Sequence, residues 1–151
     1  MTLKEQMDIL FSPRSVALIG ASSTMGKWGY NVLSLLLSQK GKQIYAVNKH
    51  EAEVLGLKAY QGILDVPAPV DLAIITVPFQ DVPATLNDCI EKGVKSAVVI
   101  SGGLAKSGEV GARVQEELVK VARHGDMRFV GPNCMGFFNT SSDFNTVIFL
   151  P

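Results

Sequence analysis

Ser15-Val16-Ala17-Leu18-Ile19-Gly20-Ala21-Ser22-Ser23-Thr24-Met25-Gly26-Lys27 is the stretch whose reading decides the fold. Its first five residues run into a glycine without apolar–polar alternation. A segment that is apolar on both faces reads as a buried strand of a parallel sheet. Four further runs repeat the pattern, each closed by a residue that stops a strand. Gln43-Ile44-Tyr45-Ala46-Val47 ends at Asn48, and Asp71-Leu72-Ala73-Ile74-Ile75-Thr76-Val77 ends at Pro78. Ser96-Ala97-Val98-Val99-Ile100 ends at Ser101-Gly102-Gly103, and Met127-Arg128-Phe129-Val130 ends at Gly131-Pro132-Asn133.

Segments with helical apolar spacing lie between the runs. Residues 30–39 carry Val32, Leu33, Leu35, Leu36 and Leu37, with Gly41 beyond them. Residues 82–92 place Val82, Leu86, Cys89 and Ile90 on one face and stop at Gly93. Residues 109–124 do the same with Val110, Val114, Leu118, Val119 and Ala122, then Gly125. Strands alternating with helices predict an α/β domain, Rossmann-like and doubly wound. The expected sheet is mainly parallel, of five strands or slightly more, with helices on both faces. Residues 51–55 read as a short helical turn, 58–60 as a short extended piece and 145–150 as a strand-like run. The expected domain spans 1–139. Residues 140–151 read as a tail or as the start of a linker to a second domain.

Composition narrows the function. At 151 residues a chain buries about 68–70% of its unfolded surface, so it needs no disulfide to hold a core. Apolar residues make up 47% and charged residues 19%, as in globular proteins. Fourteen Lys and Arg balance fourteen Asp and Glu. A net charge of zero gives no reason to expect nucleic acid or an anionic membrane as partner. Cys89 and Cys134 lack metal-ligand spacing, and no metal site is expected. The first eight residues carry acids where a leader peptide is apolar, and no apolar run approaches the ~20 residues that cross a bilayer. A cytoplasmic location is expected.

The strand ends carry the chemistry, because open parallel sheets bind ligands there. Gly20 and Gly26 bound a loop that carries the hydroxyl residues Ser22, Ser23 and Thr24, and Met25, facing the N-terminus of the next helix. That is a phosphate-binding arrangement. It matches neither a Walker loop, since Lys27 is followed by Trp28, nor a nicotinamide fingerprint, since Ser22 stands at its second glycine. Asn48-Lys49-His50 offers an amide and then basic residues where a NAD site places an acid. It suits a nucleotide with an extra ribose phosphate, or is simply a solvated strand end. Val77-Pro78 either flanks an adenine or pantetheine arm or only terminates a strand. Gly102 and Gly103 beside Ser101 permit close backbone approach, and Asn133 brings an amide to the last strand end. Cys134 has no activating neighbour and reads as structural. No catalytic residue stands out.

Taken in order, 11–22, Val47-Asn48, 70–73, Val77-Pro78, Gly93-Val94-Lys95, Ser101-Gly102-Gly103 and Gly131-Pro132-Asn133-Cys134-Met135-Gly136 resemble a known family. It is the CoA-binding domain of ADP-forming acyl-CoA (acetyl-CoA) synthetases, related to the succinyl-CoA synthetase alpha subunit. The chain is also similar to the synthetase-like part of some bacterial protein lysine acetyltransferases. The resemblance runs from about Leu10 to Asn139. It implies that coenzyme A is the ligand, with its phosphates on 22–26. A basic residue after the second strand takes the nucleotide end, and Val77-Pro78 and Ser101-Gly102-Gly103 line the site. The family commonly reads Val-Asn-Pro-Lys after that strand, so the basic contact falls here to Lys49 or His50. Leu104 and Lys106 depart from a family Phe and a family acid.

In the family, catalysis runs through a phosphorylated histidine in a second domain and a separate ATP-grasp domain. Neither His50 nor His124 lies in a matching motif. The resemblance therefore implies part of an acetate–CoA ligase (ADP-forming)-type enzyme that gives no turnover alone. Its partners are CoA or acyl-CoA and the remaining synthetase domains or subunit. Two other readings use the same fold: an NAD(P)-binding redox or regulatory domain, and a stand-alone CoA sensor.

Overall fold

The computed structural model of the protein describes residues 1–103 and 108–148. Leu104 and Lys106, and the end of the 145–150 run, lie outside the described residues. A seven-stranded sheet forms the centre. In chain order its strands are β1 (Ser15–Ile19), β2 (Gln43–Val47), β3 (Glu53–Val54), β4 (Leu57–Tyr60), β5 (Leu72–Ile75), β6 (Ser96–Val99) and β7 (Arg128–Val130). Across the sheet they lie in the order β3-β4-β2-β1-β5-β6-β7. All pairs are parallel except β3–β4. The chain leaves β1 toward β2 and later returns to its other side as β5. The topological switch point therefore falls between the ends of β1 and β5, the place at which open sheets of this kind bind ligands.

Alternate residues of each strand feed two cores. Ala17 and Ile19 of β1, with Ala73 and Ile75 of β5, pack toward α3 (Val82–Lys92) and α4 (Gly108–His124). Val16, Leu18, Leu72 and Ile74 pack on the other face toward Val32, Leu33 and Leu36 of α2 (Trp28–Ser38). Helices therefore cover both faces, as the alternation of segments requires. Asp71 fixes the start of the central strands: its Oδ2 accepts from the backbone N–H of Arg14 at 2.8 Å and of Ser15 at 3.2 Å.

Of the 145–150 run only Asn145 lies in a strand, residues 146–148 being irregular, and two further elements differ from expectation. Residues 51–55 form no helical turn. β3 and β4 make a hairpin around Leu55 and Gly56, which both lie in the left-handed region (φ 49° and 80°). Two successive positive φ values are what a tight two-residue hairpin loop needs. The other is a helix that apolar spacing did not reveal, α1 (Leu3–Phe11). A capping box starts it. The Glu5 N–H donates to Thr2 Oγ1, and the Thr2 N–H donates to Glu5 Oε2. Gln6, 1% exposed, docks it: its Nε2 donates to the Asp126 carbonyl and its own carbonyl accepts from Ser96 Oγ.

Ordered structure continues beyond residue 139. A second, two-stranded sheet pairs β8 (Phe138–Asn139) with β9 (Phe144–Asn145). Phe144 is fully buried in the core on the α2 side, with the Phe137 ring edge-on at 5.5 Å. Burying one such ring is worth about 1.5–3 kcal/mol. Gln39 holds the Asn145 backbone from both sides, donating to its carbonyl at 2.7 Å and accepting from its N–H at 2.8 Å. Among the described residues, no helix is long and apolar enough to cross a membrane.

Candidate functional site

Hydrogen bonds tie the strand ends into one seam. Gly20 and Ala21 both donate backbone N–H groups to the Val47 carbonyl, at 3.0 and 3.2 Å. Asn48 Nδ2 donates to the Ala21 carbonyl at 2.7 Å, locking the β1 loop to the end of β2. On the other side, Thr76 Oγ1 donates to the carbonyls of Ile19 and Gly20, each at 3.1 Å. Ser101 donates its backbone N–H and its Oγ to the Ile75 carbonyl. The Asn133 N–H then donates to the Ser101 carbonyl at 3.0 Å. Every strand end singled out from the sequence therefore joins one contiguous edge, with the Gly20–Gly26 loop at its middle.

That loop is shaped by glycine at two points. Gly20 has φ 94°, and a Cβ there would meet Thr76 Oγ1 at 2.6 Å. Gly29, in the first turn of α2, is tighter still: a Cβ would stand 1.9 Å from the Gly20 carbonyl oxygen. The helix N-terminus therefore rests directly on the loop backbone, as the third glycine of a dinucleotide fingerprint permits. The sequence reading did not assign this role, because the loop is longer than that fingerprint allows. No acid stands in the first turn of α2, so its own residues leave the positive end of the helix dipole unneutralised. Ser22 is buried, and its Oγ accepts from the Thr24 N–H at 3.1 Å, folding the loop back on itself. Ser23, Thr24, Met25 and Gly26 stay exposed.

At the end of β2, Asn48 Oδ1 accepts from the N–H groups of His50 and Glu51, at 2.7 and 2.9 Å. This turn leaves Lys49 and His50 exposed and carries Glu51 back toward the loop. Glu51 Oε1 accepts from the Ser23 N–H at 3.3 Å and from Asn48 Nδ2 at 3.2 Å. Hydrogen bonding from Ser23 comes first, with the charge of Lys27 behind it, in holding the Glu51 carboxyl below the usual carboxylate range. Scanning strand ends finds no acid here, because Glu51 lies beyond the strand and reaches the loop only through the Asn48 turn.

On the β5 side, Val77 is half-buried against the α3–α4 core and Pro78 is exposed. Phe79, which sequence reasoning passed over, lies within van der Waals reach of Gly103: a Cβ there would meet its ring at 3.4 Å. Gly102 faces Asn133, whose Oδ1 would stand 2.5 Å from a Cβ at that position. Asn133 itself has φ 55°. These close approaches explain the small residues after β6.

Neither cysteine is activated. Burial pushes the Cys89 thiol up to about 12. Burial also raises Cys134, whose Sγ donates to the Val99 carbonyl at 3.3 Å. Both sit in the environment of inert thiols. A concavity lined by Val119, Arg123 and Arg128 lies at the opposite edge of the sheet and shares no residue with the strand-end loops.

Comparisons with known proteins give the family of the chain. A family model described as a CoA binding domain matches residues 14–140. The chain belongs to the CoA-binding domain family. That span takes in β1 through β8 and every strand-end loop of the seam. The alpha subunit of acetate–CoA ligase (ADP-forming) II from Pyrococcus furiosus is 46% identical over 139 residues, 92% of this chain and 30% of that subunit. Acetate–CoA ligase (ADP-forming) II from Archaeoglobus fulgidus is 44% identical over 91% of this chain and 20% of that protein. Among solved structures, the dinucleotide-forming acetyl-coenzyme A synthetase 1 of Ca. Korarchaeum cryptofilum, in complex with phosphate and ADP, superposes with a TM-score of 0.86. It is 37% identical over 93% of this chain and 30% of that chain. This CoA-binding domain thus spans less than a third of the length of these relatives.

Proposed function

We propose that the chain binds coenzyme A along the strand-end edge, as the CoA-holding part of an ADP-forming acyl-CoA synthetase. The observation that carries this reading is the contact of Gly29 with the Gly20 carbonyl. It sets the donor-rich loop on the positive end of α2 at the switch point between β1 and β5. In this reading the diphosphate lies on residues 22–26. Backbone N–H groups and the helix dipole hold its charge, as a chain of zero net charge requires. Lys49 or His50 meets the ribose 3′-phosphate from the exposed turn after β2. The pantetheine arm passes Val77, Pro78 and Phe79 toward Ser101, Gly102, Gly103 and Asn133. The thiol is thereby presented outward. In this reading acid activation and ATP chemistry fall to parts of the enzyme other than this domain.

The basic contact gives the test. CoA and dephospho-CoA differ only in the 3′-phosphate, so the ratio of their affinities isolates it. An exposed ion pair contributes up to ~1 kcal/mol, or roughly fivefold. Lys49→Glu is expected to reduce or erase that ratio in isothermal titration, and His50→Ala to change it less. A ratio untouched by either variant places the 3′-phosphate elsewhere.

A further inference from the structure

We propose that Glu51 is a built-in competitor for the ligand's phosphate: its carboxylate occupies the Ser23 N–H in the free protein and is displaced when a diphosphate binds. This deepens the reading of the strand-end edge as a CoA site and rests on it.

Ser23 lies within the Gly20–Gly26 loop, and its backbone N–H is one of the donors such a loop offers to a phosphate oxygen. That donor already has an anionic acceptor, Glu51 Oε1 at 3.3 Å. The acid is delivered deliberately. Asn48 Oδ1 accepts from the Glu51 N–H at 2.9 Å, and Asn48 Nδ2 donates to Glu51 Oε1 at 3.2 Å, so one side chain sets both ends of the residue. The same Asn48 Nδ2 bonds the Ala21 carbonyl, so the acid and the loop are held by a common pin. A carboxylate and a phosphate cannot share one N–H at close range without strong repulsion. Ligand entry therefore requires Glu51 to swing out, which its half-exposed position permits.

The consequence is a site that keeps its loop in receiving shape when empty and subtracts the competitor's hold from the ligand's affinity. It also separates two roles for an acid after β2. An acid that accepts from ribose hydroxyls adds to affinity. An acid seated on the phosphate donor subtracts from it.

Glu51→Gln tests this, because the amide oxygen keeps an acceptor in place and removes the charge. Isothermal titration should show CoA binding about fivefold tighter to the variant than to the parent chain. Inorganic pyrophosphate, followed by the Ser23 amide shift in NMR, should show a gain in the same direction. Independently of any ligand, Ser23 amide hydrogen exchange should be faster in Glu51→Ala than in the parent. Equal exchange rates would overturn the contact, and unchanged or weaker pyrophosphate binding to Glu51→Gln would overturn the competition. Pyrophosphate gaining while the parent chain shows no CoA binding would leave the role of Glu51 standing and remove the CoA reading. CoA binding the parent chain while Glu51→Gln gains nothing would do the reverse.

Discussion

Gly29→Ala is expected to lower Tm by roughly 6–12 °C and to weaken CoA binding beyond detection. The cause is one methyl group. Its carbon would stand 1.9 Å from the Gly20 carbonyl oxygen and 2.9 Å from the carbonyl carbon. Both are backbone atoms, so no side chain can turn aside. The loop cannot retreat, because Gly20 and Ala21 are bonded to Val47 and the Gly20 carbonyl to Thr76. The helix must move instead, and Val32, Leu33 and Leu36, all fully buried, move with it. Overpacking typically costs about 1–3 kcal/mol, a clash of this closeness between backbone atoms takes the upper end, and each kcal/mol shifts Tm by roughly 2–4 °C at this chain length. Differential scanning calorimetry and titration on the same sample check both effects. A variant that melts and binds like the parent would show that the helix does not rest on the loop.

Gly26→Val separates binding from folding. Gly26 has φ 88°, and nothing lies within 4 Å of a Cβ there, so the substitution meets backbone strain without a clash. A β-branched residue in the left-handed region costs about 1–2 kcal/mol, or more where branching crowds the backbone. The exposed loop relieves that strain by changing shape, which turns its donors away from a common focus. CoA affinity is expected to fall more than tenfold, a loss of about 1.4 kcal/mol or greater, with Tm lowered by roughly 2–8 °C. Titration calorimetry beside a thermal melt measures the two. Parent-like affinity in a folded variant would mean that the phosphates lie off this loop.

The contrast between these glycines shows what can be read from a sequence and what cannot. β1, β2 and α3 have the bounds that their apolar runs and terminators predict, because burial on both faces and a stop residue are local signals. α2 begins two residues earlier than its apolar stripe, since Trp28 is exposed and leaves no mark in the spacing. α1 rests on the Thr2–Glu5 capping box and on Gln6, a polar residue buried by contacts with distant Ser96 and Asp126, which no periodicity records. The β3–β4 hairpin turns on a leucine at positive φ, a conformation that leucine's identity argues against.

The site divides in the same way. The loop residues 20–26 and the ends of β2, β5, β6 and β7 are legible because each is a strand terminus, and a parallel sheet gathers its termini along one edge. Gly29, Thr76, Glu51 and Phe79 are not. Their places depend on how deeply α2 seats, on which carbonyl Thr76 reaches, and on where the Asn48 turn sends the acid. Those are tertiary facts. Glu51 matters most, because it brings an acid back to the loop beside β2, so that the absence of an acid in the strand-end residues themselves no longer argues against a nicotinamide ligand. The proposed choice of nucleotide therefore rests on the basic residues of that turn together with the family membership.

Thermal-shift measurements with CoA, dephospho-CoA and NAD at equal concentration and ~0.15 M salt test the central claim most directly. A ligand held at a hundred times its Kd stabilises by about 2.7 kcal/mol, or roughly 5–10 °C at this size. CoA is predicted to raise Tm most, dephospho-CoA less and NAD least. A larger shift with NAD than with CoA would contradict the account and return the fold to the redox-domain reading.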